Sequence, residues 1–134
     1  MIYAVIDTNV FVSALFTRHP NSATTKVVEY VAQGIITPLF NEEILAEYED
    51  VLSREKFHLC REEREALLTY IRRNGKSSER VPFDNLLIDE TDRVFYEVSL
   101  SEEDSFLVTG NLKHFPSTPR VVTPAQMVQI VEEK

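Results

Sequence analysis

Short apolar, β-rich runs alternate with amphipathic stretches of helical period along this chain, and few folds accept that order. The first run, Ile2-Tyr-Ala-Val-Ile6, reads as a buried strand. A helix is expected from about Val10 to Phe16. A second runs from a cap at Asn21 or Ser22 to Ala32, with Val27, Val28 and Val31 on one face and Gly34 as its stop. Ile35–Leu39 reads as the next strand. Asn41 then caps a helix to about Ser53, whose apolar stripe is Ile44, Leu45, Tyr48, Val51 and Leu52. Glu62–Arg73 reads as another helix, and Asn74–Ser78 as a surface loop. Asp89 can cap a helix to about Leu100, Phe106–Thr109 is a strand, and Val121-Val122 is the last strand. Thr123-Pro124-Ala125-Gln126 is a capping box with proline at the first helical position, and it opens a closing helix. The alternation predicts an α/β fold: a central parallel sheet with helices on both faces, a three-layer α/β/α sandwich. The length, 134 residues, fits one such domain over 1–134.

A chain of this size buries enough surface to do without disulfides, and its single cysteine, Cys60, forbids an intrachain one. The opening apolar run meets Asp7 too soon for a membrane span or a signal segment. A cytoplasmic, reducing location and no membrane partner are therefore expected. The net charge of −8 weighs against non-specific attraction to nucleic acid, but the charge is unevenly spread. From Arg54 to Arg80 the chain is +3, and the remainder is −11. That segment reads either as a solvated helical face or as a basic flank beside an acidic pocket.

Asp7 follows a buried strand and precedes a helix. In an open parallel sheet the carboxyl ends of the strands form the ligand crevice, so a carboxylate there can hold a ligand; a helix cap is an equal use of the position. Thr109-Gly110-Asn111 takes the matching place after another strand, where Gly110 permits a tight turn. Glu47 falls at the edge of the buried face of its helix, about 100° from the centre of the stripe; by geometry alone a surface glutamate is the better reading, and a carboxylate pointing along the sheet top is the other. Asp92 falls in the first turn of the Asp89–Leu100 helix, where it either complements the helix dipole or acts as a third oxygen ligand.

Taken in order, Val5-Ile6-Asp7-Thr8-Asn9-Val10, Glu47 within Ile44-Leu45-Ala46-Glu47-Tyr48, Asp89-Glu90-Thr91-Asp92 and Leu107-Val108-Thr109-Gly110-Asn111-Leu112-Lys113-His114-Phe115 resemble the PIN domain, over essentially the whole chain. The branch they resemble is the toxin component of toxin–antitoxin systems, akin to the VapC toxins. The resemblance implies a PIN-like sandwich and a ribonuclease dependent on Mg²⁺ or Mn²⁺. It makes Asp7, Glu47 and Asp92 both catalytic residues and the acidic metal ligands. Asn111 joins them at the position where many members carry a fourth aspartate. That departure keeps an oxygen and removes a charge, so one tightly held ion per subunit is expected, and the site is not read as dead. Asp89 and Asp104 are supporting carboxylates on this reading. Thr8, Asn9 and Thr109 would orient ligands or the scissile phosphate, and Arg54, Lys56 and Lys113 would hold the RNA backbone. Implied partners are single-stranded or looped RNA, an antitoxin protein and a second copy of the chain in a homodimer.

Other chemistries fit poorly. No Gly-x-Ser-x-Gly elbow is present, and three glycines in all cannot build a Walker loop. His19, His58, His114 and Cys60 have no zinc spacing, and His114 reads as a surface or packing histidine. A phosphatase of the haloacid dehalogenase type wants a second aspartate two residues after the first, where this chain has Asn9. The remaining alternative is a PIN-fold module that binds RNA or protein without cutting.

Overall fold

The expected sheet is present in the computed structural model, which describes residues 1–17 and 19–134. In chain order the elements are β1 (Ile2–Ile6), α1 (Thr8–Phe16), α2 (Ala23–Ala32), β2 (Ile36–Phe40), α3 (Glu42–Leu52), α4 (Arg61–Asn74), β3 (Lys76–Ser77), α5 (Arg93–Ser99), β4 (Phe106–Val108), β5 (Val121–Val122) and α6 (Pro124–Glu132). All neighbouring strands are parallel, in the order β3-β2-β1-β4-β5. The chain lays β2 and β3 to one side of β1, then β4 and β5 to the other. The winding therefore reverses between β1 and β4, and the two strands part company in their connections at their carboxyl ends. That reversal opens a crevice of the kind in which α/β proteins hold ligands.

Both faces of the sheet are covered. Val5 and Ile6 are adjacent and so point to opposite faces, and both are fully buried. The helices α1, α2 and α6 pack in series, with α2 on β2, while α5 lies against β1, β2 and β4. Local chemistry fixes the helix starts. The Asn41 side chain accepts from the Ile44 N–H at 2.8 Å, and Ser22 accepts from the Thr25 N–H at 3.3 Å. Thr123 and Gln126 form the reciprocal capping box, at 3.1 and 2.8 Å.

The structure moves several boundaries. β2 starts at Ile36, because the Ile35 N–H closes the end of α2 on the Tyr30 carbonyl, behind Gly34 in the left-handed region at φ 79°. Helix α1 begins at Thr8, two residues before the expected start. The expected loop at Asn74–Ser78 contains β3, a two-residue edge strand. The Asp89–Leu100 helix is in fact a 3₁₀ turn, Glu90–Asp92, followed by α5. Asp89 caps that turn, accepting from the Thr91 N–H at 3.0 Å and the Thr91 hydroxyl at 2.8 Å. Among the described residues no helix is long and apolar enough to cross a membrane.

Candidate active site

Asp7 follows β1 directly, at the switch point. Its backbone N–H donates to the Val108 carbonyl on β4 at 2.9 Å, which pins the residue between the two strands. As the residue before α1 it could cap that helix, but its side chain makes no capping bond. Instead the Thr109 hydroxyl donates to Asp7 Oδ2 at 2.7 Å, and the Asn111 N–H donates to that hydroxyl at 3.0 Å. The Thr-Gly-Asn segment after β4 thus orients the Asp7 carboxylate. Across the gap, the Gly110 N–H donates weakly to Asn9 Oδ1 at 3.4 Å.

Three elements bring acidic side chains to this point. Asp7, Glu47 from α3, and Asp92 from the start of α5 line one cavity of about 540 Å³, with Asp89, Asn111 and Arg54 on its walls. Their electrostatics show the crowding. Burial pushes the Asp7 carboxyl up to about 6; the Thr109 hydrogen bond opposes this, and the Asp92 charge adds to it. Burial also raises Asp92, against the pull of His114. Burial raises Glu47 too, with Asp50 and Asp92 adding to the rise and Arg54 opposing it. Three carboxylates thus share one partly desolvated space, where each disfavours the charge of the next.

The expected residues divide as follows. Asp7, Thr8, Asn9, Glu47, Arg54, Asp89, Asp92 and Asn111 all line the cavity. Thr109 is buried behind Asp7. Lys113 does not line it: the 3₁₀ turn Leu112–His114 carries Lys113 to a neighbouring cavity beside Phe83 and Pro116. Asp104 is a correction. It precedes β4, so it lies at the amino ends of the strands, in a cavity of about 660 Å³ with Met1 and Arg120, at the opposite edge of the sheet. That cavity is larger than the acidic one, but the Arg120 guanidinium is committed to main-chain carbonyls of Ser99 and Glu102 and has a structural role.

Two residues have roles at the site that the sequence reading did not give them. His114 lines the acidic cavity, and its Nδ1 lies 3.1 Å from Asp92 Oδ2, which makes Nδ1–H the donor. Its position three residues after Asn111, one short turn on, was the available signal. Tyr48 is fully buried, and its hydroxyl donates to the Ile6 carbonyl at 2.5 Å, fixing the end of β1 immediately before Asp7. On the sequence it was simply part of the α3 stripe.

Among the described residues, no group of three or more His, Cys, Asp or Glu side chains already stands arranged to hold a metal ion. The donor set nevertheless suits a hard divalent cation. Such ions keep several waters and need only one or two carboxylates from the protein. The cavity offers three carboxylates and an amide oxygen, and the buried Thr8 hydroxyl beside Asp7 has no hydrogen-bond partner.

Fold and crevice together define a parallel α/β domain with an acidic, cation-attracting mouth at its switch point. The family is shown directly: the PIN domain model matches residues 3–113, and the chain belongs to that family. PIN domains are typically nucleases and generally use divalent metal ions, so this is a nuclease-like fold. No curated protein matches the chain.

Proposed function

We propose that this protein is a Mg²⁺- or Mn²⁺-dependent endoribonuclease that hydrolyses RNA phosphodiesters, and that it is the toxin of a type II toxin–antitoxin pair working in the cytoplasm. One observation carries the nuclease reading: Asp7, Glu47 and Asp92, far apart in sequence, line one cavity at the switch point. The toxin role rests on the resemblance of the motifs to the VapC branch.

Asp7, Glu47 and Asp92 would hold the ion, with the Asn111 amide oxygen nearby. When bound, the ion supplies a more nucleophilic water and offsets charge on the attacked phosphate. The chain's own residues do the positioning. Thr109 fixes Asp7 and His114 fixes Asp92, so two of the three carboxylates are oriented before any ligand arrives. Asn9 would turn its amide toward the scissile phosphate, and the buried Thr8 hydroxyl beside Asp7 would help to orient the ligands rather than touch the phosphate. Arg54, beside Glu47 on the cavity wall, offers a planar donor array to a phosphate oxygen. Asn111 in place of an aspartate lowers the negative charge, which favours a single ion.

The test is RNA cleavage in Mn²⁺ by wild type, Asp7→Asn and Asp92→Asn, with circular dichroism to check the fold. Cleavage by wild type alone is expected, and near-wild-type rates in either variant would remove the ligand assignment. The neutral Asn111 at the fourth position and the net charge of −8 favour a second reading, a PIN-fold module that binds RNA or a protein without cutting. Wild type without metal-dependent cleavage would support that module. We also propose a homodimer and an antitoxin that directs a basic side chain at the carboxylates. Sedimentation as a monomer at micromolar concentration would overturn the dimer.

A further inference from the structure

One wall of the acidic cavity is not acidic. After α3 the chain makes a 3₁₀ turn, Glu55–Phe57, that ends on His58 in the left-handed region at φ 52°. A residue other than glycine seldom takes that conformation, and where it does the surrounding structure holds it. The turn brings the Phe57 ring to the cavity wall next to Arg54. Phe57 stacks on Phe16 from the end of α1, with ring centres 5.1 Å apart and planes 19° apart. Phe16 remains 41% exposed. The Lys56 ammonium lies 5.1 Å from the centre of the Phe57 ring.

Two near-parallel aromatic rings, one still open, with two cations on the same turn do not suit a hydrophobic core. They match what binds unpaired nucleic acid: π-faces for a base and cations for the phosphates beside it. Charge supports that occupant. The cavity interior repels a polyanion, and Arg54 and Lys56 begin a stretch, Arg54 to Arg80, that is net positive (+3) in a chain of net charge −8. Continuity supports it as well, because Phe57 and Arg54 line the same cavity as Asp7, Glu47 and Asp92. We propose that the Phe16–Phe57 pair is a stacking platform for one unpaired base of single-stranded RNA. On binding, the base adds a third ring to the stack, Lys56 moves from the ring to a backbone phosphate, and the adjoining phosphodiester is led toward the carboxylates. The orientation of the scissile bond rests on the nuclease reading; the platform itself does not.

The test uses a short single-stranded RNA carrying one 2-aminopurine, with EDTA present so that no cleavage occurs. Binding to wild type should quench the 2-aminopurine as it stacks. Phe57→Ala and Phe57→Leu should each weaken binding by roughly tenfold, the order expected for one lost base–aromatic contact, and abolish the quench. Phe57→Trp should retain both. Thermal unfolding of each variant identifies any that fail to fold, and Phe16→Leu gives a second route. Wild type that does not bind the RNA, or Phe57→Leu binding and quenching like wild type, would overturn the platform. A dimer that falls apart in Phe57→Ala with RNA binding intact would do the same, and would make the pair a protein interface. Phe57-dependent binding without any Mn²⁺-dependent cleavage would keep the platform and remove the nuclease reading.

Discussion

Asp7→Asn should make the metal-free protein more stable while removing its activity. Asp7 is only 7% exposed, and burial lifts its carboxyl from 3.8 to about 6. A raised folded-state value means that the carboxyl's contribution to stability is fully present below pH 3.8 and is lost as pH rises through about 6. At pH 8 the loss is about 3 kcal/mol, at about 1.4 kcal/mol per tenfold change in proton affinity. Asparagine has nearly the same shape, keeps an oxygen to accept from Thr109, and carries no charge at any of these pH values. In EDTA at pH 8 the variant should therefore unfold about 10 °C above wild type, and the gap should close toward pH 4. Mn²⁺ at about a hundredfold excess over its Kd should restore about 2.7 kcal/mol to wild type and nothing to the variant. Thermal scans by circular dichroism at both pH values, with and without Mn²⁺, measure all of this. Asp7→Asn unfolding at or below wild type in EDTA at pH 8 would refute the reasoning, because the charge would then not be strained in the metal-free fold.

The other predictions run in different directions. Glu97 is buried; burial alone would raise its carboxyl, but the Phe83 N–H at 2.8 Å and Arg80 at 2.7 Å outweigh it and hold the group below its ordinary value. Its stabilisation is therefore present above the unfolded value and lost as pH falls through the folded one, so Glu97→Gln should cost about 2 kcal/mol at pH 7 and little near pH 3, by urea unfolding. Asn111→Asp adds a carboxylate to the cavity wall and should tighten Mn²⁺ binding at least several-fold in a calorimetric titration; unchanged affinity would place that side chain outside the ion's reach. Gly75→Ala should destabilise by about 1–3 kcal/mol, because a Cβ there would stand 2.5 Å from the Pro38 carbonyl oxygen and 2.6 Å from that of Ile71, and neither backbone atom can move aside cheaply.

What the sequence made legible follows from which forces act locally. The strands at Ile2–Ile6 and Val121-Val122, the α3 stripe and the α6 capping box depend on neighbours a few residues away, and they appear where periodicity and cap chemistry put them. Asp7 and Asn111 were readable because each follows a strand, and strand ends of a parallel sheet converge. The same rule excludes Asp104, which precedes its strand. Other features were hidden because their causes are distant in sequence. β3 exists only as an edge added beside Leu39 and Phe40, so two polar residues without apolar alternation gave no signal. The Tyr48 bond to Ile6 spans 42 positions, and that of His114 to Asp92 spans 22. No period in the chain records either pairing.

The three carboxylates are not equally prepared for a ligand, and this accounts for the open arrangement of the cavity. Asp7 is held by Thr109, and through it by the Asn111 N–H; Asp92 is held by His114. Glu47 makes no side-chain hydrogen bond among the described residues, and is longer by one methylene. Two fixed carboxylates that repel each other cost the fold stability, and a third brought rigidly against them would cost more. A flexible glutamate on the edge of α3 can stay apart while the cavity holds no cation and approach once positive charge is present to offset the repulsion. On the proposed function, rigidity at Asp7 and Asp92 with freedom at Glu47 would let an acidic crevice stay folded without an ion and still close on one.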